Sequence, residues 1–94
     1  MKKAVVDVTN CKRLDDLHKR FKIALGFPDH YGENLDAFWD CISADCDVNF
    51  VTVVGSETVA ESLKETLKIM FQIMERNKKS WEGYDWSFDY EIIN

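Results

Sequence analysis

The stretch that organises this chain is residues 48–54, VNFVTVV, which is β-branched almost throughout. Asp47 bounds it on one side, and Gly55 and Ser56 bound it on the other. Because β-branched side chains fit a pleated, packed surface, this composition favours a strand. A run so rich in valine also indicates little exposed surface. The sequence therefore predicts a buried strand near the middle of the chain.

Helical patterns lie on both sides of this strand. Before it, Asn34 is the predicted N-cap of a helix. The apolar stripe of that helix has the spacing i, i+3, i+4 and i+7 and consists of Leu35, Phe38, Trp39 and Ile42. After the strand, Thr58 and Glu61 have capping-box spacing, and a longer helix is predicted to about Lys79. Its stripe consists of Val59, Ala60, Leu63, Leu67, Met70, Phe71 and Met74.

The outer segments continue this alternation. Residues 2–8, KKAVVDV, predict a first strand, and the period of two over residues 86–93 predicts a third. Between them, Asp15 is the predicted N-cap of a first helix, Gly26 its end, and residues 27–32 a loop. The apolar positions of that helix are Leu14, Leu17, Phe21, Ala24 and Leu25.

Helices between successive strands supply the crossovers that parallel strands need. The order of elements therefore predicts an α/β fold, a three-stranded parallel sheet flanked by helices, and leaves the strand order open. With 94 residues, 46% of them apolar, four glycines and one proline, the chain has the size and composition of a single globular domain, 1–94.

The charge balance narrows the choice of partners. Twelve basic and seventeen acidic residues give a formal charge of -5, which disfavours binding to nucleic acid or to an anionic membrane.

No run approaches the roughly 18 apolar residues of a membrane span, and the first residues are interrupted too early for a secretory signal. Three cysteines cannot all pair with one another, so we expect reduced thiols at Cys11, Cys41 and Cys46. We therefore expect a cytoplasmic protein.

An acidic segment, residues 28–47, carries the strongest functional signal. It has six negative charges and no positive one, from Asp29, Glu33, Asp36, Asp40, Asp45 and Asp47. Asp36 and Asp40 are four residues apart, so a helix places both carboxylates on one flank, beside the apolar stripe. A solvated acidic face would explain this pair alone. Together with the aromatic residues Tyr31 and Trp39, the segment indicates a binding surface for a basic partner.

The same residues carry a resemblance to a known family. The run over residues 31–42, YGENLDAFWDCI, resembles the signature of the barstar family, intracellular inhibitors of barnase-type ribonucleases. Residues 2–6, KKAVV, and residues 14–18, LDDLH, are also similar to that family. Beyond Asp47 the similarity lies mainly in the pattern of strand, long helix and strand. About half of the chain therefore carries the resemblance.

The resemblance implies a barstar-like fold and a mechanism. It implies that the second helix and its preceding loop plug the active site of a basic, secreted, guanyl-specific ribonuclease in a 1:1 complex. Asp40 would be the principal mimic of an RNA phosphate, with Asp36 beside it. The rest of the contact surface would consist of His30, Gly32, Asn34, Trp39, Ser43 and Ala44. No cofactor is implied.

Departures from the family pattern concern the predicted partner. His30 stands where the family's best-known member has a tyrosine, and Asp45 where it has a tryptophan. Arg76 is expected near a position where that member offers an acidic contact. Residues 81–85, WEGYD, have no counterpart that we can align. We therefore expect the target to be a relative of barnase and not barnase itself.

Other functions would use the same residues. Asp36, Asp40 and Glu33 could hold Mg²⁺ or act as an acid and base pair, but no nucleophile motif or phosphate-binding loop accompanies them. Zinc at Cys41 and Cys46 is disfavoured because no second ligand pair is present. We therefore predict neither an enzyme nor a metal site. The alternative that stays open is a non-inhibitory module for another basic partner.

Three single residues have two interpretations each. Trp39 lies at the edge of its stripe, where packing in the core and contact with a partner explain it equally well. His30 is either a contact group that titrates near neutral pH or simply exposed. His18 is predicted to be a local polar partner and not a ligand.

Overall fold

The computed structural model describes residues 2–93, except for the side chain of Asp45. Its strands are β1 (Lys3–Asp7), β2 (Phe50–Val54) and β3 (Asp89–Ile93). All three run parallel in the order β1-β2-β3, with Val5 opposite Thr52 and Thr52 opposite Glu91. The predicted α/β fold with a three-stranded parallel sheet is confirmed. The predicted domain, 1–94, includes Met1 and Asn94, which lie outside the described residues.

The sheet is buried on one face and partly open on the other. Val6, Val51 and Val53 have no exposed surface, whereas Val5 on the opposite face is 62% exposed. Two predictions for the central strand were wrong. It begins at Phe50 and not at Val48, and only its alternate residues are fully buried. The remaining β2 side chains, those of Phe50, Thr52 and Val54, are half-buried.

The helices are α1 (Leu14–Leu25), α2 (Leu35–Asp40) and α3 (Glu61–Ser80). A π-helical turn, Cys41–Asp45, continues α2, and a 3₁₀ turn, Ser56–Thr58, follows β2. The predicted stripe methionines Met70 and Met74 are fully buried. Among residues 2–93 no helix is both long and apolar enough to cross a bilayer.

The end of α1 matches the prediction, but its start does not. Gly26 has φ 70° and its N–H bonds the Lys22 carbonyl, which is the left-handed end that the sequence predicts. The N-cap position is Arg13 and not Asp15, which lies inside the first turn. There the Asp15 carboxylate accepts hydrogen bonds from Arg13 Nε at 3.1 Å and from the Asp16 backbone N–H at 2.9 Å.

The predicted capping box at the start of α3 is wrong. Ala60 occupies the N-cap position. Thr58 Oγ1 instead donates to the Gly55 carbonyl and accepts from the Asn10 backbone N–H, both at 2.7 Å. The hydroxyl therefore joins the loop after β1 to the loop after β2. Because this contact links residues far apart in sequence, local spacing does not reveal it.

Candidate functional site

Helix α2 is fixed on its inner side by packing and at its start by a cap. Asn34 Oδ1 accepts the Ala37 N–H at 2.8 Å, as predicted. Phe38 has no exposed surface, and its ring meets the Phe21 ring edge-on at 5.3 Å between centroids. Ile42 is also buried. These contacts set the rotation of the helix about its axis and therefore determine which residues face outward.

Asp36 and Asp40 lie on the outward side of α2 and are both exposed. We call these two residues the acidic flank. Among the described residues, neither carboxylate has a hydrogen-bond or ion-pair partner. Asp16 on α1 differs, because it pairs with Arg20 Nη2 at 3.2 Å. The acidic flank thus consists of carboxylates that no described group neutralises, on a helix whose orientation is fixed.

The loop before α2 is anchored by a buried aromatic side chain. Tyr31 is buried, and its hydroxyl lies 2.6 Å from Nδ1 of His18 on α1. Its ring also packs on Phe27, with 5.0 Å between centroids. His18 is thus a local polar partner, as predicted. The sequence analysis had grouped Tyr31 with the acids as part of a binding surface. The structure instead buries Tyr31, which supports the loop from within.

Burial shifts the pKa values of this pair. Desolvation lowers the pKa of His18 below its ordinary 6.5, although the negative charge of Glu33 opposes the shift. Desolvation raises the pKa of Tyr31, with smaller contributions from Cys41 and Glu33. Both shifts favour the neutral forms, which suits a hydrogen bond enclosed in the protein.

The exposed residues of the loop lie next to the acidic flank. His30 and Gly32 are exposed, and with Asp40 they line a shallow cavity of about 210 Å³. The backbone here is close to its neighbours: a Cβ on Gly32 would lie 3.3 Å from Asn34 Nδ2. Three of the predicted contact residues therefore meet around one concave surface.

Trp39 packs in part against the core and is in part exposed, so both roles that the sequence left open, core packing and contact with a partner, are compatible with its position. It is half-buried and packs against the core cluster. The guanidinium carbon of Arg76 on α3 lies 4.5 Å from the centroid of its ring, within the range of a cation–π contact. Arg76 thus lies beside α2 and covers part of the indole.

The π-helical turn carries the last two predicted contact residues. Ser43 is half-buried, and its hydroxyl donates to the Trp39 carbonyl at 2.6 Å, whereas Ala44 is exposed. Sequence spacing gave no sign of this turn, because it depends on backbone bonds that no side-chain pattern reports. Among the described residues no three His, Cys, Asp or Glu side chains are grouped to hold a metal ion.

The eight predicted contact residues therefore fall on one continuous stretch of chain, residues 30–44, and none is fully buried. The fold and this stretch define a small α/β domain that presents an unneutralised acidic helix beside a loop anchored by Tyr31. Comparison with known proteins agrees with that class. A sequence profile described as "Barstar (barnase inhibitor)" matches residues 1–93, and the chain belongs to the barstar family.

One relative carries a functional name. The Bacillus subtilis (strain 168) protein named "Putative ribonuclease inhibitor YrdF" is 39% identical to this chain over 54 residues. The matched region is 57% of this chain and 59% of that protein. The chain thus spans less than two thirds of the length of that relative.

Proposed function

We propose that this chain inhibits a basic, secreted, guanyl-specific ribonuclease of the barnase type in a 1:1 complex. In this proposal α2 and the loop before it enter the active site of the enzyme. Asp40 takes the place of an RNA phosphate, and Asp36 binds beside it. His30, Gly32, Asn34, Trp39, Ser43 and Ala44 complete the contact surface. The chain itself performs no catalysis and needs no cofactor.

The observation that carries the proposal is the acidic flank. A site that cleaves RNA must bind phosphates and is therefore rich in cationic donors. Two carboxylates without partners can form charge-assisted hydrogen bonds to such donors once water leaves the interface. Because α2 is held by its cap and by Phe38, little conformational freedom is lost on binding.

Three further features support the proposal. The family is described by barnase inhibition, and the Bacillus subtilis relative is named for ribonuclease inhibition. The net charge of -5 favours electrostatic steering toward a basic enzyme. The cavity lined by His30, Gly32 and Asp40 leaves room beside the carboxylate for a side chain of the partner.

The test is an inhibition titration. Purified protein is added to the barnase-type ribonuclease secreted by the organism that makes this chain, and RNA cleavage is followed. We expect loss of activity at one equivalent and an association rate that falls as salt rises. Asp40→Ala should raise the inhibition constant about a hundredfold or more, because it leaves an unpaired cation buried in the interface.

Glu65→Ala is the matched control, because Glu65 is an exposed acid on α3, outside the proposed surface. Equal effects of the two substitutions would contradict the assignment of Asp40. Binding without loss of ribonuclease activity would instead indicate a non-inhibitory module for a basic partner. Metal-dependent turnover by the chain alone would contradict the absence of catalysis.

A further inference from the structure

A groove lined by aromatic residues lies at the far end of the proposed contact surface. Its volume is about 370 Å³. Trp81 and Trp86 supply its aromatic wall, and Asp47 also lines it. The lining includes Ser43 and Ala44, the last two residues of the proposed contact surface. We call this feature the aromatic groove.

The aromatic wall is held in place by a buried amide. Asn77 on α3 has no exposed surface. Its Nδ2 donates to the Ile42 carbonyl at 3.4 Å, and its Oδ1 accepts from Trp81 Nε1 at 3.2 Å. One side chain thus connects the end of the α2 segment to the first tryptophan of the groove. The groove therefore has a fixed position relative to the acidic flank.

The aromatic wall continues into one further ring, that of Tyr84. The Trp81 ring lies edge-on to Trp86 and to Tyr84, with centroids 6.4 Å and 5.9 Å apart. Tyr84 is 70% exposed although one side of its ring packs against Trp81. Gly83, with φ 88°, allows the tight turn that brings these rings together.

Among the described residues, the groove is lined by one acid, Asp47, and by no basic residue. Residues 81–89, WEGYDWSFD, contain three acids and no basic residue, and one of these acids, Asp89, pairs with Lys78 on α3 at 3.3 Å. Asp47 pairs with Lys2 at 2.9 Å, but both side chains are largely exposed. An exposed pair of this kind contributes little to stability, so an incoming cation can share or replace Lys2. Aromatic faces beside a carboxylate suit a guanidinium or ammonium group with an aliphatic stem.

We propose that the aromatic groove binds an arginine or lysine side chain from a surface loop of the same ribonuclease whose active site α2 occupies. This inference rests on the proposed function. Because Ser43 and Ala44 line both surfaces, an enzyme seated on α2 extends over the groove. The partner is basic, and its cation meets aromatic faces and the Asp47 carboxylate there. The groove is thus a second contact, separate from the phosphate-mimicking acids.

The test measures dissociation of the complex with the barnase-type ribonuclease named above. Trp86→Ala and Tyr84→Ala should each raise the dissociation rate about tenfold or more, because aromatic anchors carry much of the affinity of an interface. Phe71→Ala is the control, since Phe71 is a half-buried aromatic residue on α3 that does not line the groove. It should leave the dissociation rate unchanged.

A second pair of variants tests the charge of the occupant. Asp47→Asn should raise the dissociation constant at least about threefold, whereas Glu65→Gln should not change it. If the aromatic variants lose affinity while Asp47→Asn does not, the occupant of the groove is not a cation. That result would indicate an apolar loop of the enzyme instead. If the dissociation rate is unchanged in all three groove variants, Trp86→Ala, Tyr84→Ala and Asp47→Asn, while inhibition is intact, the groove is not a contact and only this inference fails.

The wild-type protein provides a second readout, in which variants serve only to assign signals. The chain has three tryptophans, Trp39, Trp81 and Trp86, whose indole N–H signals can be assigned by Trp→Phe substitution and followed by NMR. On addition of the ribonuclease, the signals of Trp81 and Trp86 should shift together with that of Trp39. A shift of Trp39 alone would contradict the groove. If the wild type neither binds nor inhibits the enzyme, the proposed function itself fails.

Discussion

The Tyr31 hydroxyl and Nδ1 of His18 lie 2.6 Å apart inside the protein and join the loop before α2 to helix α1. Both side chains are buried. The loop carries His30 and Gly32 at the surface, so the position of two proposed contact residues depends on a bond that a partner would never touch. Two predictions concern this pair.

The first prediction is a loss of stability on acidification through His18. Because burial lowers its pKa, the folded protein resists protonation, whereas the unfolded chain takes up a proton near pH 6.5. As pH falls below that value, the free energy of unfolding should decrease by up to about 1.4 kcal/mol per pH unit. Urea unfolding between pH 7.5 and pH 5 measures this slope.

His18→Gln should reduce that pH dependence, while His30→Ala, which alters an exposed residue, should preserve it. An identical slope in wild type and His18→Gln would show that other groups, such as the carboxylates, cause the whole effect.

The second prediction concerns Tyr31→Phe. Removing the hydroxyl leaves Nδ1 of His18 without its partner in a buried place, which should cost about 1 to 3 kcal/mol of stability. Thermal unfolding measures the loss, with Tyr84→Phe as the exposed control that should be neutral. A neutral Tyr31→Phe would mean that water replaces the hydroxyl.

The third prediction concerns the cap of α2. Asn34→Ala removes the bond to the Ala37 N–H and should lower the free energy of unfolding by about 1 kcal/mol. Asn34→Asp keeps an acceptor at this position and should retain most of the stability. The urea midpoints of the two variants measure these losses of stability. Equal losses in Asn34→Ala and Asn34→Asp would indicate that Asn34 stabilises the protein through something other than its cap.

The fourth prediction has opposite signs for stability and function. Asp40→Asn removes the repulsion between like charges at i and i+4 and should stabilise the free protein by about 0.2 to 0.5 kcal/mol. The same change should weaken inhibition of the ribonuclease, because the amide cannot replace a phosphate charge. Urea unfolding and inhibition constants of one protein preparation test both signs. A destabilised Asp40→Asn would show that this carboxylate has a favourable partner in the free protein.

Apolar periodicity in the sequence predicts the helices and strands of the fold, but it predicts the residues at which they begin and end less accurately. The stripe from Leu35 to Ile42 and the cap at Asn34 are both local patterns, so sequence reasoning identifies α2 and its outward acids. Thr58 failed as a cap because its hydroxyl bonds Asn10, which lies 48 residues away. The helix begins one residue earlier than the predicted cap allows, at Leu14, so Asp15 lies inside the first turn and Arg13 holds the N-cap position without a side-chain bond.

In the candidate site, too, local features are predictable from the sequence and features that depend on tertiary contacts are not. The spacing of Asp36 and Asp40 predicts a shared flank, and the structure has both exposed there. The order of the strands depends on which of them pair, and no strand records its neighbours in its own composition. The aromatic groove escaped sequence reasoning because residues 43–47 and 81–86 meet only through tertiary contacts.

Asn77 also constrains how this surface can change during evolution. A substitution there would disturb the Ile42 carbonyl and the Trp81 indole at once, so both regions would be altered in a single step. Exposed residues such as Ala44 and His30 do not join two regions in this way in the described part of the chain, and they can vary one at a time. We expect diversification of partner choice to proceed through those positions, around a scaffold that Asn77 keeps constant.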